Sequence, residues 1–310
     1  MPEIDRELME RYSRKTGFHV DTLEKVYRLM EFLGEMNGIP EVREKLVLKG
    51  GTAINFIYFD IPRLSIDIDI DYIGSEEKEK MVRDREWMED ILFRLFRKLG
   101  YQTEVKKPYA LLQYTLRYRN TAGNIDRIKL EMNFFNRVPV FESVEKEIKN
   151  LFHMETMRVR TLELEELFGR KLRALVTRGT PRDLCDVYHL LESRMKVDIR
   201  KLRKCFIFYL CCHSDPRSMN LNFVEGITQR DVKMGLLPLL RKGGKIDVEE
   251  MKSRVLPLLR EFFKFEKEEK EFIDELYDKK NYRPELLFED FDYNRNIVGH
   301  PGIKWRIINI

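Results

Sequence analysis

Cysteine is scarce in this chain. Its 310 residues hold four, at positions 185, 205, 211 and 212, with no C-x-x-C pair. That excludes a disulfide scaffold, and without closely spaced ligand pairs it argues against a zinc site. The four read as buried thiols. Long apolar runs are also missing. The most apolar stretch, Cys205-Phe206-Ile207-Phe208-Tyr209-Leu210-Cys211-Cys212, has eight residues, where a membrane span needs about twenty. Met1-Pro2-Glu3-Ile4-Asp5-Arg6 leads into no apolar segment of the kind a secretory signal carries. The expectation is a cytoplasmic protein with no membrane partner. Net charge is small, +4 from 57 basic and 53 acidic residues. Charged residues nevertheless make up 35% of the chain, above the usual ~25%. With 43% hydrophobic residues, the chain can bury a core and is not disordered. Neither G-x-x-x-x-G-K-[ST] nor G-x-G-x-x-G occurs, which disfavours a P-loop or a Rossmann site. The five histidines show no ligand spacing, and there is no repeat or low-complexity segment.

At roughly 150 residues per domain, the length suggests two domains. Residues 21–36 carry Leu23, Val26, Met30 and Leu33 at helical spacing. Lys45-Leu46-Val47-Leu48 is a short strand ending at Lys49-Gly50-Gly51-Thr52, and a helical run follows from Ala53 to Tyr58. Ser65 to Tyr72 alternates isoleucine with aspartate, the period of a strand with one buried face. Residues 78–99 form a charged amphipathic helix, and 101–106, 111–119 and 125–133 read as strands. The first half therefore carries a mixed or antiparallel sheet of about five strands. Beyond residue 156 the pattern is helical over 163–177, 182–192, 198–212, 228–240, 247–263 and 265–279. The fold class is α+β: a mixed sheet with flanking helices in 1–155 and a mostly α-helical domain in 156–310. Charge divides along the same line. The first 150 residues carry 26 basic and 27 acidic residues, the remaining 160 carry 31 and 26.

Asp67, Asp69 and Asp71 project from one strand face, about 6–7 Å apart at i and i+2. Carboxylates that close repel one another and call for a cation. Oxygen ligands of this kind suit Mg²⁺ or Mn²⁺. The plain alternative is a charged edge strand. The Gly50-Gly51 pair lets backbone approach an anion, and the helix start after it favours negative charge.

A Gly-Gly turn after an apolar strand, a short helix, then D-x-D on the next strand resembles the nucleotidyltransferase superfamily. The wording Gly50-Gly51-Thr52-Ala53-Ile54, then Arg63-Leu64-Ser65-Ile66-Asp67-Ile68-Asp69-Ile70, is similar to the AbiEii/AbiGii toxin family of minimal nucleotidyltransferases. Leu167-Phe168-Gly169-Arg170-Lys171-Leu172 resembles that family's lysine-bearing helix. Pro181-Arg182-Asp183-Leu184-Cys185-Asp186 resembles its Pro-Arg-Asp-x-x-Asp helix, and His300-Pro301-Gly302-Ile303-Lys304-Trp305 its C-terminal ending.

The resemblance implies that Gly50 and Gly51 hold the phosphates of a nucleoside triphosphate (NTP) and that Asp67 and Asp69 bind two metal ions. A third acid is expected on a neighbouring strand, where Glu131 stands; Asp71 reads as a strand-end charge. Thr52 and Ser65 offer hydroxyls to phosphate or to backbone. Arg63 offers a guanidinium to phosphate or to the aspartates. Lys171 would offset charge on the leaving pyrophosphate. Asp186 would orient Lys171 or contact base or ribose. Thr180-Pro181-Arg182-Asp183 reads as a capping-box variant, so Asp183 is taken as structural. The implied acceptor is RNA, a tRNA 3′ end, its modification stopping growth; an antitoxin partner is also implied. Two other readings stand beside this one: nucleotide transfer to a protein hydroxyl (AMPylation-like), and a catalytically silent nucleotide- or partner-binding module. A Mg²⁺ nuclease is disfavoured by the Gly-Gly-Thr turn.

Overall fold

A computed structural model describes residues 4–152 and 154–310. The chain forms two compact units. The first comprises 1–137, 143–161 and 238–244; the second comprises 138–142, 162–237 and 245–310.

The first unit opens with helices α1 (Arg6–Thr16), α2 (Val20–Asn37) and α3 (Pro40–Arg43). Strand β1 (Leu46–Lys49) runs directly into α4 (Gly50–Ala53), which continues as a π-helical turn, Ile54–Tyr58. Then come β2 (Asp67–Tyr72), α5 (Lys78–Lys98), β3 (Gln102–Lys106), β4 (Leu111–Arg119), β5 (Ile125–Asn133), β6 (Val144–Ile148) and β7 (Met157–Thr161). The seven strands form one mixed sheet in the order β3-β4-β5-β2-β1-β7-β6. β2 lies parallel to β5, and β1 to β7; the other neighbours are antiparallel.

Alternation decides the two faces. Ile68, Ile70, Leu130, Met132, Leu112, Tyr114 and Leu116 are all buried on one face, where α2 and α5 supply Leu29, Leu33, Met88 and Leu92 to the same core. The other face carries Asp67, Asp69, Lys129, Glu131 and Gln113, brought side by side by register. Glu24 pins α2 to the β4–β5 turn: its buried carboxylate accepts from the Thr121 backbone N–H at 2.9 Å, the Thr121 hydroxyl at 2.7 Å and Arg28 at 3.0 Å.

The sheet has seven strands, not about five. β6 (VEKEI) and β7 (MRVRT) are short and charge-rich. β6 lies at the sheet edge, where charge discourages further pairing and masks the period of two.

The second unit is helical: α6 (Leu164–Arg178), α7 (Pro181–Glu192), α8 (Ile199–His213), α9 (Asn222–Glu225), α10 (Gln229–Gly235), α11 (Val248–Phe262), α12 (Lys267–Asp278), α13 (Glu285–Phe288) and α14 (Pro301–Ile308). The helix expected over 228–240 stops at Gly235, and Leu237–Leu239 forms a separate 3₁₀ turn. Pro238 has no N–H to continue an α-helical ladder. α6 packs most intimately with α8. At Gly169 a Cβ would come within 2.6 Å of the Cys205 Cβ, so the glycine sets how closely the two helices approach. The four cysteines are buried and unlinked, as their scarcity suggested. No helix among the described residues is long and apolar enough to cross a membrane.

Candidate active site

The glycine pair forms the first turn of α4 rather than a turn ahead of it. Gly50 has φ +67°, and a Cβ there would lie 2.1 Å from Asp69 Oδ2. Both facts demand glycine: the backbone is left-handed and the Asp69 carboxylate rests against it. A Cβ on Gly51 would meet Arg63 Nη2 at 2.8 Å and Ser65 Oγ at 2.9 Å. Gly50, Gly51, Arg63, Ser65 and Asp69 are therefore gathered at the N-terminus of α4. The first N–H groups of a helix have no partner within it, and its dipole favours negative charge there.

Two neighbours hold this arrangement in place. The buried Thr52 hydroxyl donates to the Asp67 carbonyl at 2.6 Å, tying α4 to β2. Of the two uses open to it, Thr52 takes the backbone. Arg63 is also buried, its Nη1 donating to the Leu64 carbonyl at 2.9 Å. The segment before it is bent at Ile61, which sits at φ +48°, an unusual conformation for a β-branched residue.

Asp67 and Asp69 are half-buried, reachable from solvent. Asp71, read as a strand-end charge, does not lie open to solvent. It is fully buried, and Lys49 Nζ lies 2.5 Å from its Oδ1. Lys49 is the residue opposite Asp69 on β1 and reaches diagonally to Asp71. That ammonium supplies one of the cations the aspartate row requires, and nothing in the spacing of the sequence marked it.

Glu131 stands beside Asp69 in the parallel β2–β5 register. Its Oε1, however, accepts from Gln113 Nε2 on β4 at 2.9 Å. Among the described residues no three acidic, histidine or cysteine side chains gather as metal ligands. The cross-strand amide of Gln113 draws the Glu131 carboxylate toward β4. Two half-buried carboxylates still fit a small hard cation, since Mg²⁺ is commonly held by one or two carboxylates together with substrate phosphate.

The second unit holds a separate charged cluster. Lys171 on α6 donates to Asp183 at 2.8 Å and lies 3.0 Å from Asp186, both on α7. Arg178 adds two bonds to Asp183, at 2.7 and 3.0 Å, and the Thr180 hydroxyl adds one at 2.7 Å. Asp183 and Asp186 are almost completely buried, and Lys171 is 7% exposed. Burial alone would push the Asp183 carboxyl up; Lys171 and Arg178 outweigh it and hold it far below the usual carboxylate range. Asp183 is thus more than a helix cap. Thr180 does accept from the Asp183 N–H, at 3.3 Å, but the carboxylate is the hub of the cluster. The donor Arg178 was not foreseen, although it lies five residues away. A further buried group underlies α6: Arg170 and the Tyr209 hydroxyl each donate to Glu166 Oε1 at 2.6 Å.

The model of one protein family, the nucleotidyl transferase AbiEii toxin of type IV toxin–antitoxin systems, matches residues 31–279. The chain belongs to this family. It is a nucleotidyltransferase of the toxin–antitoxin kind, a class that uses an NTP and a divalent metal ion and is associated with an antitoxin. Among solved structures, it resembles MenT4, a nucleotidyltransferase toxin from Mycobacterium tuberculosis H37Rv. The TM-score is 0.64 at 15% identity, over 89% of this chain and 97% of that one, which shows a shared α+β fold. No curated protein matches the chain.

Proposed function

We propose that this AbiEii-family chain transfers a nucleoside monophosphate from an NTP to a hydroxyl at the 3′ end of a tRNA, and that it acts in the cytoplasm as a growth-inhibiting toxin checked by an antitoxin. The observation that carries the transferase reading is the left-handed Gly50 pressed against Asp69, with Gly51 against Arg63 and Ser65. Such a cradle admits phosphate oxygens to backbone N–H groups and sets a carboxylate beside them.

In this reading Gly50 and Gly51 contact the triphosphate through backbone, while Arg63 and Ser65 fix the loop and offer polar atoms to a phosphate oxygen. Asp67 and Asp69 would hold the divalent ion, Mg²⁺ or Mn²⁺. That ion supplies charge neutralisation at the phosphates and a lowered pKa for the attacking hydroxyl. Thr52 acts by holding α4 on β2. Lys171 is assigned a catalytic role by its family motif, with Asp186 fixing its ammonium. The enclosure of Lys171 by two carboxylates fixes its ammonium in place, as an electrostatic role requires. Most of the rate enhancement would come from positioning and charge compensation.

An RNA acceptor draws support from the charge excess of residues 151–310, 31 basic against 26 acidic. The test is incubation of the purified chain with each labelled NTP, Mg²⁺ and either tRNA or total protein. Label in tRNA, lost in Asp69→Asn, supports the reading; label in protein alone would replace it with AMPylation-like transfer.

A further inference from the structure

The polar face of the sheet extends well beyond the two aspartates. Register sets Lys129 on β5 beside Asp67 on β2, with Thr115 on β4 beyond it. One row further along, Arg127 stands directly opposite Arg117. Residues opposite one another in an antiparallel pair share a face. The intervening Ile128, Leu130 and Leu116 are buried on the other one. Accessibility rises along the polar face away from the aspartates. Asp67, Asp69, Gln113 and Thr115 are half-buried, whereas Arg117, Arg127 and Lys129 are exposed. All of these residues belong to the first unit.

The acids near these cations are already engaged. Arg117 pairs with Glu104 on β3 at 2.8 Å. Glu131 accepts from Gln113. Asp126, next to Arg127 in the chain, pairs with Lys25 at 2.5 Å. The side chains of Arg127 and Lys129 make no ion pair and no hydrogen bond among the described residues. Like charges directly opposite one another in a sheet are destabilising, so the Arg117–Arg127 pairing costs stability as it stands. No fold contact accounts for two exposed, unpaired cations beside a pair of carboxylates; an external anion does.

We propose that Lys129, Arg127 and Arg117 form a track for the phosphate backbone of the acceptor RNA, along which the strand approaches Asp67 and Asp69 across the open sheet face. Lys129 lies one strand from Asp67, about 4.8 Å in the hydrogen-bonding direction, and Arg127 lies about 6.6 Å further along β5. A strand whose terminal hydroxyl reaches the aspartates lays its preceding phosphates on the neighbouring surface, and this cationic surface is continuous with the aspartates. Three side chains spread over an open face favour a ligand with several phosphates over a single small anion. The two guanidiniums can grip phosphate oxygens in pairs, while Lys129 acts as a point charge. Contacts of this kind position a strand without reading its sequence. The proposal rests on the transferase reading with an RNA acceptor and adds to it the surface that the acceptor follows.

The test is fluorescence anisotropy of the full chain with a labelled, short single-stranded RNA, without NTP, over a series of salt concentrations. Lys129→Gln and Arg127→Gln are compared with the wild type. Lys146→Gln serves as the control, removing an equal charge from an exposed position on β6 at the far edge of the sheet. Circular dichroism reports on the folds, and Arg127→Gln relieves the like-charge pairing with Arg117, so a folded product is expected. Each phosphate contact removed takes about 0.7 from the slope of log affinity against log salt for a single strand. Each track variant should flatten the slope by that amount and bind about fivefold more weakly at about 0.1 M salt, the factor that this slope implies. The double variant should bind about 25-fold more weakly. Arg127→Lys should recover most of the loss, and Lys146→Gln should match the wild type. Label incorporation into tRNA is followed separately. Weakened RNA binding in the track variants of a chain that labels only protein keeps the RNA surface and removes the acceptor reading. Label in tRNA, with folded variants binding RNA as the wild type does, refutes the track and leaves the transfer reading standing. An equal loss in Lys146→Gln, or no RNA binding by the wild type, also refutes the track.

Discussion

Lys171 and Asp183, twelve residues apart on consecutive helices, meet at 2.8 Å in a setting where the lysine is 7% and the aspartate 1% exposed. The pair joins α6 to α7. Read as a cap alone, Asp183 would be worth about 1 kcal/mol. Removing one partner of a buried, hydrogen-bonded ion pair costs about 3–5 kcal/mol, because the remaining charge is left uncompensated. Asp183→Ala should therefore lower unfolding free energy by about 3–5 kcal/mol in a urea titration. A loss near 1 kcal/mol would return the residue to the role of a cap.

The same pair sets an acid limit. A carboxyl that titrates at about 3.9 in the unfolded chain is held far lower in the fold, mainly because Lys171 and Arg178 outweigh its burial. The stability this contributes is fully present above the unfolded value and is lost as pH falls toward the folded one. Stability should decline steeply below about pH 4. Asp183→Asn, which cannot ionise, should be less stable at neutral pH and show a shallower decline. Parallel acid profiles for the two proteins would count against Asp183 as the source.

The two faces of the central sheet were legible in the sequence because one strand alternates strictly between isoleucine and aspartate. The glycine pair was legible because few other positions tolerate a left-handed residue against a carboxylate. What stayed hidden depends on distance through space. Asp71 continues the alternation of Asp67 and Asp69, yet Lys49 on the adjacent strand turns it into a buried ion-pair partner. Glu131 reaches the expected register, but Gln113, eighteen positions earlier, takes its carboxylate. β6 and β7 escaped because both are short and charge-rich, which interrupts the period of two, and α1 gave no signal strong enough to separate it from its charged surroundings.

Gly50 should tolerate no side chain. Alanine there would carry an unfavourable φ of +67° and place a Cβ 2.1 Å from Asp69 Oδ2. Either α4 shifts or the carboxylate swings away, and both disturb the phosphate cradle. Gly50→Ala should lose transfer activity by about 100-fold or more, the loss a 1 Å displacement of reacting groups can produce. The double variant Gly50→Ala/Asp69→Ala separates the causes. If it folds better than Gly50→Ala, the clash is real; if the two are equally stable, the backbone conformation alone carries the cost.

The two-carboxylate set makes the last prediction. Asp67 and Asp69 are half-buried and close enough to repel each other, so Asp69→Asn relieves repulsion and should leave the melting temperature unchanged or raised. Transfer should nevertheless fall on the order of 10³-fold, because charge compensation at the phosphates contributes several kcal/mol to the barrier. Glu131→Gln retains an oxygen for Gln113 and removes only a charge that does not gather with the aspartates. It should cost less than about tenfold in rate, a difference of under 1.4 kcal/mol. Manganese titration followed by electron paramagnetic resonance should show weakened binding in Asp69→Asn and near wild-type binding in Glu131→Gln. Equal damage in both would restore Glu131 as a third ligand and would mean that its bond to Gln113 is given up when the ion binds.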